Sequence, residues 1–187
     1  MKGWVVWITG LPGSGKSTVA KHFLKILEKN KISAQYLQLD AIRKIIAPEP
    51  KYDESERDFV YRSLIITAKF LSENGINVII DAVGHRKIWR DLAKSEIKKF
   101  LEVYLKCPLE ICIERETNRK SDLIKRELYK KAKERLQSGE KFEGIGQVPG
   151  IDVKYEETEN PDLILESNKI GSKECAQKIF EKIKYLT

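Results

Sequence analysis

Gly10-Leu11-Pro12-Gly13-Ser14-Gly15-Lys16-Ser17-Thr18 follows directly on the apolar run Gly3–Thr9 and leads into a stretch of helical periodicity that begins at Lys16. Gly10-x-x-x-x-Gly15-Lys16-Ser17 is the Walker A pattern, and its context is the required one, a strand before and a helix after. The glycines let the backbone curl so that successive N–H groups point inward at phosphate oxygens. Pro12 has no N–H, so the donors are expected mainly from Gly13 onward. The helix opening at Lys16 adds its positive dipole end. The Lys16 ammonium is expected to bridge the β- and γ-phosphates of ATP, and the Ser17 hydroxyl to ligate Mg²⁺. The stretch 10–18 therefore predicts a P-loop nucleotide site.

Outward from this loop the chain alternates strand and helix. Helical spacing marks Lys16–Asn30 (Val19, Ala20, Phe23, Leu24, Leu27) and Ser55–Asn74 (Tyr61, Leu64, Ile65, Ala68, Leu71), the latter stopped by Asn74-Gly75. Ile32–Leu39, Ile76–Ile80, Phe100–Lys106 and Asp162–Leu165 read as strands. Ala41–Ile46, Arg86–Lys98, Leu109–Glu116 and Lys173–Leu186 read as helices. The β-branched run at Ile76–Ile80 suits a strand buried on both faces. The order predicts an α/β fold: a parallel sheet covered by helices on both faces, with a helical lid at about 118–150. No repeat or low-complexity linker divides the 187 residues, so a single kinase domain over 1–187 is expected.

Composition narrows the class. An apolar fraction of 41% argues against disorder. No apolar run approaches the ~18 residues of a membrane span, and the short apolar start ends in the phosphate loop where a cleavage site would be needed. A cytoplasmic protein is expected. Cys107, Cys112 and Cys175 are odd in number and lack CxxC spacing, so buried reduced thiols are expected. The net charge of +7 fits attraction to polyanions, nucleotides included, and equally a lysine- and glutamate-rich surface. The basic residues are interspersed with acids and form no separate arm, which speaks against a nucleic-acid partner.

Asp81 ends the run Asn77–Asp81. A carboxylate there faces the ligand crevice of a parallel sheet. It reads either as a Walker B-like group near Mg²⁺ or as a cap for the helix at Arg86. Asp81-Ala82-Val83-Gly84 also matches the DxxG of GTPase switches. The guanine-reading NKxD is not found after Phe100–Lys106, where the chain gives Cys107-Pro108-Leu109-Glu110.

Several further segments, in order, resemble the adenylylsulfate kinase family from about Trp4 to the C-terminus. The loop is similar to its GLxGSGKST, and Gln38-Leu39-Asp40-Ala41-Ile42-Arg43 to its DGDNIR. Glu56-Arg57 falls where the family has Asp-Arg. Leu128-Tyr129-Lys130-Lys131-Ala132 reproduces its LYKKA, Phe142-Glu143-Gly144-Ile145 resembles FTGI, and Tyr155 to Leu163 resembles its YExPENPEL tail. The resemblance implies transfer of the γ-phosphoryl of ATP to the 3′-hydroxyl of adenosine 5′-phosphosulfate in sulfate assimilation, and a homodimer. It implies that Asp40 accepts the hydroxyl proton or helps hold Mg²⁺, the rival role being an N-cap. It implies that Arg43 and Arg57 grip the phosphosulfate, whose oxyanions suit guanidinium forks, against a reading as surface salt bridges. Tyr52 and Phe142 would sandwich the adenine, unless they are core. Lys130 and Lys131 would be the lid cations.

The match departs from the family at four places. Gln38 and Leu39 replace the first two residues of DGD. Asp81 to Arg86 stand for SFISPY. Val60 replaces an asparagine. The lid is longer, with Arg126-Glu127 for Lys-Gly. Asp81 is the candidate to compensate for the carboxylate lost at position 38. The altered acceptor half leaves a kinase of another small hydroxyl, a nucleotide or a sugar, as the alternative.

Overall fold

The computed structural model describes residues 2–118, 128–139 and 146–186. In chain order the elements are β1 (Val5–Thr9), α1 (Lys16–Lys29), β2 (Ala34–Gln38), α2 (Leu39–Ile46), α3 (Glu54–Glu73), β3 (Asn77–Asp81), α4 (Lys87–Glu96), β4 (Phe100–Lys106), α5 (Leu109–Thr117), α6 (Leu128–Ser138), β5 (Leu163–Glu166) and α7 (Ser172–Ile183). The five strands form one sheet in the order β2-β3-β1-β4-β5, and every pairing is parallel. This is the expected α/β architecture.

β1 lies at the centre and all five of its residues are buried. Its period-2 alternation feeds two cores. Val6 and Ile8 face α1 and α7, where they meet Val19, Phe23, Leu27, Ile179 and Ile183. Val5 and Trp7 face α3 and α4, where they meet Tyr61, Leu64, Trp89 and Ala93. Each large apolar side chain removed from water in this way contributes roughly 1.5–3 kcal/mol. With both faces of β1 so loaded, its carboxyl end, and the phosphate loop that follows it, has no freedom to shift.

The helix ends follow local chemistry. Asp53 caps α3, its carboxylate accepting from Glu56 N at 2.8 Å. Asn74-Gly75 ends α3 as expected, because Gly75 adopts φ +81° and lets Ile76 N return to Leu71 O. α2 starts at Leu39, two residues sooner than the sequence suggests, because Leu39 is buried in the second core and enters the helix straight from β2. α7 stops at Ile183, the last of its core residues. A third, smaller cluster joins α5 to α6 through Cys107, Cys112, Tyr129, Ala132 and Val148.

Candidate active site

The phosphate loop is shaped by two glycines. Gly13 has φ +78°, and a Cβ there would stand 2.2 Å from the Cys112 carbonyl oxygen, so α5 packs directly on bare loop backbone. Gly15 has φ +98° and precedes the first residue of α1. Ser14 is buried, and its carbonyl accepts from Ser167 Oγ at 2.8 Å, which ties the loop to the chain after β5. Tyr129 of α6 donates to Pro12 O at 2.7 Å, so the helix carrying the LYKKA segment is anchored on the loop itself. Lys16 is buried, and its Nζ donates across the loop to Gly10 O at 2.9 Å and Leu11 O at 2.8 Å. Pro12, Gly13, Gly15, Lys16, Ser17 and Thr18 line a cavity of about 730 Å³; Gly10, Leu11 and Ser14 shape the loop from behind.

The cavity's floor carries the carboxylates. Asp81 ends β3, is 5% exposed, and lies in register with Ile8 of β1 and Gln38 of β2. Tyr36 of β2 donates its phenol to Asp81 Oδ2 at 2.6 Å. Burial, then the charge and hydrogen bond of Asp81, hold the phenol's pKa far above its usual value, while the nearby Ser17 side chain pulls the other way. Tyr36 thus ties β2 to the carboxylate at the end of β3. The helix-cap reading of Asp81 fails, because the residue before α4 is Arg86 and Asp81 is bound inside the sheet. Asp40 occupies the first turn of α2, exposed to the cavity, and the residue before that helix is Gln38, so Asp40 is not its N-cap. Hydroxyl and carboxylate oxygens beside a phosphate loop are the hard donors that Mg²⁺ takes together with nucleotide phosphates. The residues present fit that ion.

Arg43, Tyr52 and Arg57 line the same cavity. Arg43 is buried. It pairs with Glu56 Oε1 at 2.5 Å and lies 5.1 Å from the centre of the Tyr52 ring. The surface salt-bridge reading therefore does not hold for Arg43. Glu56 Oε2 also accepts from Lys51 N at 2.5 Å and Tyr52 N at 3.2 Å. That matters because Tyr52 has φ +57°, a conformation that costs a non-glycine residue of the order of 1–3 kcal/mol. Arg57 donates to Tyr52 O at 3.1 Å and to Gln147 O at 2.7 Å. Gly146 closes the corner: a Cβ there would meet Tyr52 Cβ at 2.3 Å. Glu56 and Gly146 are the residues of this corner that motif reading passed over as functional. Val60, in place of the family's asparagine, is wholly core and does not reach the cavity.

Residues 82–86 are held from all sides. Trp7 Nε1 donates to Ala82 O at 3.1 Å, Thr9 Oγ1 to Val83 O at 2.6 Å, and Gly84 N to Tyr61 Oη at 2.9 Å. Beneath them Arg90, 0% exposed, pairs with Glu102 at 2.9 Å and donates to the carbonyls of Gly84 and Glu156. A switch loop is ordered by the nucleotide's γ-phosphate, whereas Gly84 N is already committed to a buried tyrosine. The DxxG resemblance therefore has no structural counterpart. His85 is buried, edge-on to Trp89, and lines the cavity; burial lowers its pKa to about 4.

α6 presents Tyr129 and Ala132 to the third cluster, leaves Lys130 exposed and half-buries Lys131. Neither lysine is among the cavity-lining residues. Glu116, 3% exposed at the end of α5, lines the cavity and accepts from Leu128 N at 3.0 Å, at the first residue of α6. Phe142, the second expected adenine contact, lies outside the described residues, as does most of the expected lid.

A five-stranded parallel sheet of order 2-3-1-4-5, a Walker A loop and a walled cavity over its carboxyl edge define a P-loop kinase fold. The profile of the adenylylsulphate kinase family matches residues 2–166, and the chain belongs to that family. A probable adenylyl-sulfate kinase from Archaeoglobus fulgidus is 36% identical over 166 residues, covering 89% of this chain and 97% of the relative. One from Pyrococcus abyssi is 33% identical, covering 100% and 98%. The structure of the Mycobacterium tuberculosis APS kinase in complex with AMPPNP and APS superposes with a TM-score of 0.82 at 30% identity, covering 98% of each chain. A sugar kinase from Janibacter, TM-score 0.65 at 16% identity, shares the fold.

Proposed function

We propose that this chain is a single-domain ATP-dependent kinase that phosphorylates the 3′-hydroxyl of adenosine 5′-phosphosulfate. One observation carries the reading: Lys16 and Ser17, Arg43, Tyr52 and Arg57, and Asp40 and Asp81 all line one cavity. Donor and acceptor groups gathered in one cavity are what in-line phosphoryl transfer needs, since catalysis there is positioning and charge neutralisation.

In this reading the loop N–H groups and Lys16 hold the ATP phosphates. Ser17 would hold Mg²⁺, with Asp81 beside it, and the ion would supply charge neutralisation on the phosphates when bound. Arg43 and Arg57 take the phosphosulfate, and Tyr52 stacks on its adenine with Phe142 as the opposing ring. Asp40, exposed to the cavity, receives the proton of the attacking hydroxyl. Lys130 and Lys131 are assigned to the lid rather than to the cavity wall, and act on closure. Asp81 supplies the carboxylate that position 38 lacks, across the strand pair from it. Asp81→Asn should lower Mg-dependent turnover about 10–100-fold; near-normal turnover would remove Asp81 from the mechanism.

The reading extends to a cytoplasmic homodimer without nucleic-acid or membrane partners. Three buried free cysteines suit a reducing compartment, and among the described residues no helix is long and apolar enough to cross a membrane. Light scattering tests the dimer. The test of function is ADP release from Mg-ATP with and without adenosine 5′-phosphosulfate, with identification of the 3′-phosphorylated product. Acceptor-dependent turnover supports the assignment. ATP binding without turnover would refute it and send the altered acceptor half to a screen of nucleosides and sugars.

A further inference from the structure

Tyr36 is not part of any motif in the chain, yet it stands at the junction of the site. It lies in the middle of β2, half-buried, with its ring against the core on the α1 face. Its phenol reaches the last residue of β3, donating to Asp81 Oδ2 at 2.6 Å. The side chain of Ser17, in the first turn of α1, is near enough to pull the phenol's pKa down against Asp81. The register explains why the contact forms. Gln38 pairs with Asp81 and Tyr36 with Ile79, so Tyr36, Gln38, Ile79 and Asp81 point to the same face of the two strands. A tyrosine two residues before the end of β2 is long enough to reach diagonally past Ile79 to the neighbouring strand's last side chain.

A short bond from an uncharged hydroxyl to a carboxylate fixes the carboxylate's rotation and occupies one of its oxygens. Asp81 is left its other oxygen. The same phenol lies near the hydroxyl assigned above to the cation. One side chain of β2 therefore fixes the carboxylate at the end of β3, which lines the same cavity as Ser17.

We propose that Tyr36 is a positioning residue for the divalent-cation site, holding the Asp81 carboxylate in one orientation beside the phosphate loop. This deepens the assignment of Ser17 and Asp81 made above and rests on it, but it does not depend on which hydroxyl is phosphorylated. Tyr36 touches no reacting atom and acts through Asp81. In a chain that lacks a carboxylate at position 38, it supplies what a single carboxylate would otherwise be missing, a fixed orientation.

The test is Tyr36→Phe, which keeps the ring in its core contacts and removes only the hydroxyl. Retention of Mn²⁺ by the protein with ADP is measured by electron paramagnetic resonance, alongside kinase activity as a function of Mg²⁺. Loss of an outer partner of a metal ligand typically weakens affinity or activity 10–100-fold. The expected results are a rise of about tenfold in the Mn²⁺ dissociation constant, a similar rise in the Mg²⁺ needed for half-maximal rate, and a KM for the acceptor within about twofold of the parent. The melting temperature should fall by no more than about 2–4 °C, the share of one hydrogen bond. In an Asp81→Asn background, Tyr36→Phe should add nothing further to the Mn²⁺ defect. Unchanged Mn²⁺ retention in Tyr36→Phe, or full additivity of the two substitutions, overturns the proposal. Because Mn²⁺ binding with ADP needs no acceptor, failure of the parent protein to phosphorylate adenosine 5′-phosphosulfate would strike the assigned substrate and leave the role of Tyr36 intact.

Discussion

Replacement of Arg90 by methionine should be among the most damaging single changes outside the ligand cavity. Arg90 is 0% exposed and its partner Glu102 is 1% exposed. The guanidinium serves four acceptors: Glu102 Oε1, Thr158 Oγ1, and the carbonyls of Gly84 and Glu156. Methionine fills much of the volume, so the loss is electrostatic. A carboxylate left buried without its partner costs about 3–5 kcal/mol, a large part of the 5–15 kcal/mol that typically stabilises a domain. For a chain of this length each kcal/mol moves the melting temperature by about 2–4 °C, so a fall of roughly 6–20 °C is expected. Circular dichroism melts and urea titrations would measure it. Arg62→Met is the control: its pair with Asp58 is solvent-exposed at i,i+4, and its loss should stay within about 0.5 kcal/mol. Adding Glu102→Leu to Arg90→Met should recover part of the loss by removing the stranded charge. Full recovery is not expected, because the two carbonyls remain without a donor. A penalty below about 1 kcal/mol for Arg90→Met, or no gain from the second substitution, would refute the argument that a desolvated pair holds the 82–86 segment.

Lys16→Ala should reduce turnover by roughly 10²–10³-fold or more while leaving the melting temperature near that of the parent, read by ADP release and a thermal scan. Gly13→Ala should both destabilise the protein and weaken ATP binding, since the added methyl meets the Cys112 carbonyl at 2.2 Å in a backbone of φ +78°; ATP titration calorimetry and a melt would show it. Glu56→Gln should raise the KM for the acceptor more than that for ATP, because Arg43 and the left-handed turn at Tyr52 lose their shared anion, as steady-state kinetics in each substrate would reveal. His85 is lowered to about 4 by burial, from an ordinary value of 6.5. The unfolded chain therefore binds the extra proton first, and stability should fall as pH drops from about 6.5 towards 4. Urea midpoints over that range should flatten in His85→Leu.

Much of the fold can be read without coordinates, because it is written in local periodicity. The alternation along Gly3–Thr9, the 3.6-residue spacing of Val19, Phe23 and Leu27, and the stop at Asn74-Gly75 each depend on neighbours close in sequence. So does the phosphate loop, whose glycines are demanded by backbone conformation at Gly13 and Gly15. The resemblance segments add Arg43, Tyr52 and Arg57, and these do share the loop's cavity. What sequence alone misses are pairings across long separations: Tyr36 with Asp81, Arg43 with Glu56, Arg90 with Glu102, Tyr129 with Pro12. These bonds have no period and no spacing. They depend on strand register and on which helix covers which face. Whether Asp81 was a cap or a strand-end carboxylate, and whether Arg43 was a surface ion pair or a buried one, turned on burial. The amino-acid order by itself determined a phosphate-binding loop between a buried strand and a helix. The tertiary structure decided which carboxylates and which arginines share its cavity, because only packing brings together groups that the chain holds tens of residues apart.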